Sequence, residues 1–270
     1  MARGGNPMFQ SKAFREQMRP EGNTTTSDQR TAEPMSSQSL QDLYNSPSAS
    51  PVQTGRLTYN DVVSKTVLMW GTLVITAVVG WQMPALMLPA MLIGFVLALV
   101  NIFKREPSPV LIMLYAAAEG VFLGAISGVL DAMYDGIAVQ AVLATFSVFA
   151  VTLLLYRSGK YRATPKMTKM FTIAMGAYLL FSLVNLGLML FGVSDSMFGV
   201  RSEYPLLGVG IGILAVLLAT YSLVLDFTQI QRGIEQGAPA KFAWTAAFGL
   251  TVTMVWLYIE ILRIIAILRN

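Results

Sequence analysis

Apolar residues form seven long stretches along the chain, separated by short segments that are rich in turn-forming and charged residues. Each stretch has about 20 residues, the length that an α-helix needs to cross the hydrocarbon core of a bilayer. The predicted spans are residues 62–81, 85–103, 109–130, 137–156, 170–191, 205–226 and a last one that ends near Leu268. No alternating strand pattern competes with this interpretation. The pattern predicts an all-α integral membrane protein with seven transmembrane helices.

Residues 1–57 differ from the rest of the chain because they are rich in Ser, Thr, Gln, Pro and Asn and lack apolar periodicity. A segment of this composition cannot bury enough apolar surface to fold, so we predict a disordered tail. The tail has no apolar core typical of a cleavable signal peptide, and the first span is expected to insert by itself. Thr58 and Asp61 have the spacing of a capping box at a helix start. The predicted membrane domain is therefore residues 58–270.

Basic residues are distributed unevenly among the predicted loops. Nine lie on the side that holds the N-terminus: Lys104, Arg105, Arg157, Lys160, Arg162, Lys166, Lys169, Arg232 and Lys241. The loops of the opposite side contain one basic residue and four acidic ones: Arg201, Asp131, Asp135, Asp195 and Glu203. Since cytoplasmic loops carry the excess of Lys and Arg, we predict a cytoplasmic N-terminus and an outside C-terminus in the cell (inner) membrane.

Composition narrows the possible functions further. The chain is 54% hydrophobic and 13% charged, and it contains no histidine and no cysteine. Catalytic pairs of Ser or Cys with His, His-based zinc motifs, axial haem histidines and disulfides are therefore excluded. We expect no enzymatic activity and no bound cofactor. The net charge of +4 is explained by membrane orientation, so we expect the lipid bilayer as partner and no nucleic acid.

Three carboxylates interrupt the apolar spans: Glu119, Asp226 and Glu260. An ionised side chain at the centre of a transmembrane helix costs roughly 2.5–3.5 kcal/mol, so such residues usually face a cavity or a partner. Carboxylate oxygens are ligands that hard cations such as Ca²⁺ prefer. These acids predict a pathway for cations or protons. The alternative is that each acid is protonated or hydrogen-bonded and only fixes helix packing.

Two groups of glycines predict close helix packing. Gly120, Gly124 and Gly128 recur at every fourth residue of the third span, which gives that helix a smooth face for a neighbour. Gly208, Gly210 and Gly212 mark a second region, in the sixth span, that is either tightly packed or flexible. Close packing is the preferred interpretation of this second group, and a hinge is the alternative.

Four segments resemble motifs of the Bax-inhibitor family of membrane proteins, and they occur in the family's order. They are YAAAEGVFLGAISG (115–128), QAVLATFSVF (140–149), LDFTQI (225–230) and LYIEI (257–261). The polar tail, with its NPMF segment (6–9), is similar to that of a bacterial branch. The resemblance implies a seven-helix bundle with the last helix at its centre. It also implies a pH-sensitive Ca²⁺ leak, in which two acids on the last two helices share a proton and gate the pathway.

By motif match those two acids are Asp226 and Glu260, which would also contact the metal ion. The family usually has Asp where this chain has Glu260, and Arg263 is an (i, i+3) neighbour that is expected to hold the carboxylate ionised. If residues 240–248 form an interfacial segment and the last span begins near Gly249, Glu260 lies about 16 Å deep. That depth is level with Glu119, so Glu119 and Glu260 are the alternative proton-sharing pair.

Two functions of different classes follow. The first is a pH-gated leak channel or transporter for cations, with Ca²⁺ and protons as the ions transported or sensed. The second is a membrane interaction protein without transport activity that modulates a membrane protease or another membrane complex.

Overall fold

The computed structural model describes residues 55–159, 162–194 and 196–270. Its seven long helices are α1 (Tyr59–Gln82), α2 (Met87–Phe103), α3 (Pro109–Met133), α4 (Ile137–Arg157), α5 (Pro165–Leu190), α6 (Pro205–Glu235) and α7 (Ala243–Arg269). The one-turn helix Val200–Glu203 lies between α5 and α6. All seven long helices have the length and apolar composition to cross a membrane. The prediction of an all-α membrane protein with seven spanning helices is confirmed.

Contacts between loops show which helix ends lie together. At the end where α1 begins, called the α1 end below, the Leu57 N–H donates to the carbonyl of Ala238, which follows α6 (2.7 Å). At the same end Lys241, which precedes α7, contacts Glu106, which follows α2 (2.9 Å). At the opposite end Arg269 of α7 donates to the carbonyl of Asp135, which follows α3 (2.8 Å). Neighbouring helices therefore alternate in direction, as a chain of seven spans requires.

Helix α7 is the central element of the bundle. It packs against α1, α3, α4 and α6. Of the most apolar 18-residue stretch of α7, 61% is buried inside the protein, compared with 6% of the corresponding stretch of α5. A helix that is apolar on all sides is stable in the interior of a bundle, where every face finds a neighbour. The central position that the family resemblance implies for the last helix is therefore present.

The predicted glycine face of α3 packs directly on the backbone of α1. A Cβ atom added at Gly124 would lie 1.9 Å from the Ala77 carbonyl oxygen, and one added at Gly120 would lie 2.0 Å from the Thr76 hydroxyl. On α6, a Cβ atom at Gly212 would lie 2.4 Å from the side chain of Ile264. A larger residue fits at these positions only if a neighbour shifts, which supports the close-packing interpretation. Gly210 is the exception in the predicted group, because nothing lies within 4 Å of a Cβ atom added there.

Two helix boundaries differ from their predictions. Helix α6 does not end at Asp226 but continues to Glu235, because a helix can extend beyond the hydrocarbon core into the interface. The predicted interfacial segment 240–248 is not a separate element, since α7 is continuous from Ala243 and buries Ala247 and Phe248 against its neighbours. Glu260 therefore lies 17 residues, about 26 Å, after the start of α7 and not near its middle.

The predicted disordered tail lies outside the described residues, except for residues 55–57. These three residues pack against the segment between α6 and α7: the Leu57 side chain is buried, and the Ala240 N–H donates to the Gly55 carbonyl (2.8 Å). Packing on the bundle thus includes residues 55–57, which precede the predicted boundary at residue 58. At the start of α1 the predicted capping box between Thr58 and Asp61 is present.

The orientation of the bundle in the membrane stays a prediction, and a reporter fusion tests it. The unequal distribution of basic loop residues places the α1 end in the cytoplasm and the C-terminus outside. Of the residues behind this prediction, Lys160 and Asp195 lie outside the described ranges. A C-terminal reporter that is active only in the cytoplasm should give no signal, whereas a periplasmic reporter at the same position should be active. Strong cytoplasmic activity would contradict the predicted orientation.

Candidate functional site

The three predicted acids lie in different places around α7. Asp226 lies nine residues, about 14 Å, before the end of α6, and Glu119 lies ten residues, about 15 Å, after the start of α3. Both are therefore at a similar distance from the α1 end. Glu260 lies nine residues before the end of α7, about 14 Å from the opposite end.

Glu260 is the most buried of the three and is held by three side chains. Its side chain is buried with a relative exposure of 2%, and Oε2 accepts a hydrogen bond from Nη1 of Arg201 (3.1 Å). Oε1 accepts from Nη1 of Arg263 (2.5 Å) and from the hydroxyl of Tyr178 on α5. The contact with Arg263 that the helical spacing predicts is present. Glu260 thus joins α5, α7 and the segment between α5 and α6.

Arg201 is the partner that the sequence analysis missed. It lies in the one-turn helix Val200–Glu203 and is only 2% exposed, although the charge pattern assigns it to a loop. Besides Glu260, it donates through Nη2 to the hydroxyl of Ser182 on α5 (3.2 Å). Its guanidinium lies over the rings of Tyr178 and Phe181, at 5.3 and 5.2 Å from their centres. These contacts compensate for part of the cost of burying the cation.

Local backbone contacts direct Arg201 into the bundle. The side chain of Asn185 on α5 accepts from the Val200 N–H (2.9 Å) and donates to the Phe198 carbonyl (3.2 Å). Gly199 between them has φ +63°, a conformation that favours glycine. On the other side, a Cβ atom at Gly208 of α6 would lie 2.1 Å from the Arg201 carbonyl oxygen. The one-turn helix is therefore seated on both α5 and α6.

Asp226 has a different environment from Glu260. It faces α7 in the seam between α6 and α7, where its Oδ2 accepts a hydrogen bond from the hydroxyl of Thr253 (2.8 Å). The Thr253 hydroxyl lies 3.5 Å from that of Ser222, one turn away from Asp226 on α6. Within the described ranges, no Lys or Arg nitrogen lies within 4.0 Å of Asp226.

The structure does not bring Asp226 and Glu260 together. Asp226 contacts α7 at Thr253, which precedes Glu260 by seven residues, or about 10 Å along the helix axis. The proton-sharing pair that the family resemblance implies is therefore not formed in this conformation. The physical reason is that Arg201 and Arg263 already satisfy the carboxylate of Glu260.

The alternative pair of Glu119 and Glu260 is not formed either. Glu119 lies against α2, where a Cβ atom added at Gly94 would be 2.8 Å from its Oε1. The hydroxyl of Ser127 on α3 contacts the hydroxyl of Tyr258 (2.6 Å), which lies two residues before Glu260 on α7. Ser127 is therefore the α3 residue at about the same depth as Glu260. Ser127 follows Glu119 by eight residues, about 12 Å, so the predicted equal depth of the two acids is wrong.

A preformed metal site is not apparent in the part of the chain that the structure describes. No group of three or more acidic residues there is arranged to hold a metal ion. The predicted metal ligands Asp226 and Glu260 are bound to Thr253 and to two arginines respectively. An ion at Asp226 would take its other ligands from hydroxyl, carbonyl or water oxygens.

Comparison with models of known protein families tests the resemblance seen in the four sequence motifs. A family model described as Bax inhibitor 1 like matches residues 6–270. The chain belongs to this family. Membership agrees with the seven apolar helices and makes the chain a multi-pass membrane protein of the Bax inhibitor 1-like family. A search of curated proteins found no match.

The family motifs locate two of the acids correctly as members of the last two helices, but they say nothing about Arg201. One signal in the sequence pointed to it: Arg201 is the single basic residue among the loops of an acidic side. A lone cation there contributes nothing to orientation by the positive-inside rule. It is therefore available to pair with a carboxylate inside an apolar helix, although the sequence does not say which one.

Proposed function

We propose that the protein conducts cations across the membrane as a leak pathway, with Ca²⁺ as the preferred ion and Asp226 as its binding acid. The main support for this proposal is a series of polar groups along the seam between α6 and α7. It begins with Asp226, Thr253 and Ser222. Such groups are costly in an apolar bundle, and their usual role in membrane helices is to line an ion or proton pathway.

Polar groups continue towards the opposite end of the bundle. The Trp256 indole N–H donates to the Tyr178 hydroxyl (3.4 Å), which in turn donates to Glu260. A cavity of about 520 Å³ reaches this cluster and is lined by Ser182, Asn185, Arg201, Glu260 and Arg263 among others. The two guanidiniums repel a cation there, so the conformation described corresponds to a closed pathway that opens when the Arg201 segment moves away from α7.

The proposal includes pH dependence. A cation needs the ionised form of Asp226, because a neutral carboxylic acid offers it no opposite charge. Protons therefore compete with the cation, and flux rises as pH rises. This mechanism requires a single acid and differs from the predicted sharing of a proton between two acids.

Flux measurements on Asp226→Asn test the proposal. We expect Ca²⁺ flux into liposomes that contain the purified full-length protein to fall about tenfold, which corresponds to about 1.4 kcal/mol of lost cation stabilisation. The remaining flux should lose its pH dependence between acidic and neutral pH. The measurement is the fluorescence of a Ca²⁺ dye trapped in the liposomes, corrected for protein-free liposomes.

Glu235→Gln is the matched control, because it makes the same chemical change on the same helix at an exposed position. It should leave the flux and its pH profile unchanged. If Glu119→Gln abolishes the pH dependence while Asp226→Asn does not, the acid has been assigned wrongly. If the unmodified protein gives no flux at any pH, the transport proposal fails, and the predicted role as a membrane interaction protein becomes the better explanation.

A further inference from the structure

A long cleft lies between α1 and α4, which both pack on α7. Its larger cavity, near the α1 end, has a volume of about 790 Å³, within the roughly 300–1,000 Å³ of typical ligand pockets. A second cavity of about 330 Å³ continues towards the opposite end between the same two helices. Trp70 lines both cavities, and its ring meets Phe146 and Phe149 of α4 edge-on, with centres 5.5 and 5.4 Å apart. We call the larger cavity the lateral cleft.

The walls of the lateral cleft are apolar and accessible from the side. Val63 and Val67 of α1 and Leu153 of α4 line it, and they are 58%, 62% and 40% exposed. In a membrane-spanning bundle, exposed apolar side chains at this depth contact lipid. The natural occupant of a side-facing apolar cleft is therefore a molecule from the bilayer itself.

Two polar atoms inside the lateral cleft are left without a hydrogen-bond partner. They are the hydroxyl of Thr66, a residue only 7% exposed, and the indole N–H of Trp70. Neither has a partner among the described residues, and an unsatisfied buried donor costs about 1–3 kcal/mol. Both residues line the cavity, so an occupant with acceptor oxygens can satisfy them.

The mouth of the lateral cleft at the α1 end carries positive charge. Arg157 and Arg162 line it, are exposed, and have no carboxylate within 4.0 Å in the described part of the chain. Arg162 donates to the side-chain oxygen of Gln231 (3.0 Å), which also accepts from Tyr156 (2.7 Å). Gln231 in turn donates from Nε2 to the carboxylate of Glu235 (2.7 Å). Two guanidiniums at this position are suited to a phosphate group.

We propose that the lateral cleft binds an anionic phospholipid. Its phosphate lies at Arg157 and Arg162, the ester oxygens accept hydrogen bonds from Thr66 and Trp70, and an acyl chain lies between α1 and α4. The proposal does not depend on ion conduction. Charge at the mouth selects an anionic headgroup over a neutral one, while the apolar walls select a lipid over a free phosphate.

Native mass spectrometry of the purified full-length protein tests the selectivity. We expect phosphatidylglycerol to bind more tightly than phosphatidylcholine with the same acyl chains. Arg157→Gln combined with Arg162→Gln should weaken phosphatidylglycerol binding about tenfold and leave phosphatidylcholine binding unchanged. The control is Lys104→Gln combined with Arg105→Gln, which removes two exposed cations from the same end and should weaken binding less than about twofold. Equal losses in both double variants, or no preference for phosphatidylglycerol, would overturn the proposal.

A fluorescence measurement tests the position of the lipid. The chain contains no cysteine, so Val67→Cys allows a single bimane label in the lateral cleft. In phosphatidylcholine vesicles that contain a small fraction of nitroxide-labelled phosphatidylglycerol, quenching at this site should saturate at a low fraction of labelled lipid. The control is Ile93→Cys, which is similarly exposed on α2 but lies outside the cleft, and its quenching should rise in proportion to that fraction. The same proportional rise at both positions would mean that no lipid is held in the cleft.

Discussion

Arg201→Met should lower the free energy of unfolding by about 3–5 kcal/mol, the usual cost of removing one partner from a buried ion pair. Arg201 and Glu260 have side-chain exposures of 3% and 2%, so removing the guanidinium leaves a buried carboxylate with one compensating cation fewer. Arg263 remains in contact with Glu260 but contacts the other carboxylate oxygen. The measurement is unfolding of the purified protein in mixed detergent micelles, followed by circular dichroism.

A double variant separates the ion pair from general packing at this place. Arg201→Met combined with Glu260→Met removes both members, and Arg263, which is 21% exposed, can extend towards the interface. We expect the double variant to lose less stability than the two single variants together, by about 0.5–3 kcal/mol. Purely additive losses would contradict a direct interaction between Arg201 and Glu260.

An exposed ion pair serves as the control for this prediction. Lys241 donates a hydrogen bond to Glu106. This bond, together with the positive charge of Lys241, lowers the pKa of the Glu106 carboxyl group below its usual value. Both side chains are nevertheless well exposed, at 49% and 75%. Glu106→Gln should therefore produce no measurable change in stability, because exposed ion pairs contribute little.

The seven spans were predictable because bilayer thickness imposes a minimum length on each apolar stretch. That α3 packs closely on a neighbouring helix was predictable for a similarly simple reason, since glycines four residues apart lie on one helix face. The pattern does not indicate that this neighbour is α1. Helix ends were less predictable. The predicted sixth span stops at Asp226, although the helix continues past it through Gln231 and Arg232 to Glu235.

The depth of Glu260 could not be predicted because its partner is distant in sequence. Arg263 was the only cation expected beside Glu260, and a late start for α7 was preferred because it placed this carboxylate near the midplane, level with Glu119. Arg201 removes the need for such a position, since it brings a compensating charge to the opposite end of the bundle. Its approach depends on Asn185, Gly199 and the absence of a side chain at Gly208. Spacing along the chain does not reveal these contacts.

Gly124→Ala should also destabilise the protein strongly, although it adds a single methyl group. The new Cβ atom would lie 1.9 Å from the carbonyl oxygen of Ala77 and 2.6 Å from its carbonyl carbon. These are backbone atoms of α1, so the clash cannot be relieved by rotating a side chain, and α1 must move away from α3. We expect a loss of about 2 kcal/mol or more in the free energy of unfolding, measured in mixed micelles as above.

Two other glycines give a graded series with the same substitution. At Gly128, on the same face of α3, a Cβ atom would lie 3.3 Å from the Trp81 carbonyl oxygen, so Gly128→Ala should cost clearly less than Gly124→Ala. At Gly71 of α1 no atom lies within 4 Å of the added Cβ, and Gly71→Ala should be neutral or stabilising by up to about 1 kcal/mol through the higher helix propensity of alanine. If Gly124→Ala behaved like Gly71→Ala, α1 and α3 would not be in backbone contact at this position, and the close α1–α3 packing described above would be incorrect.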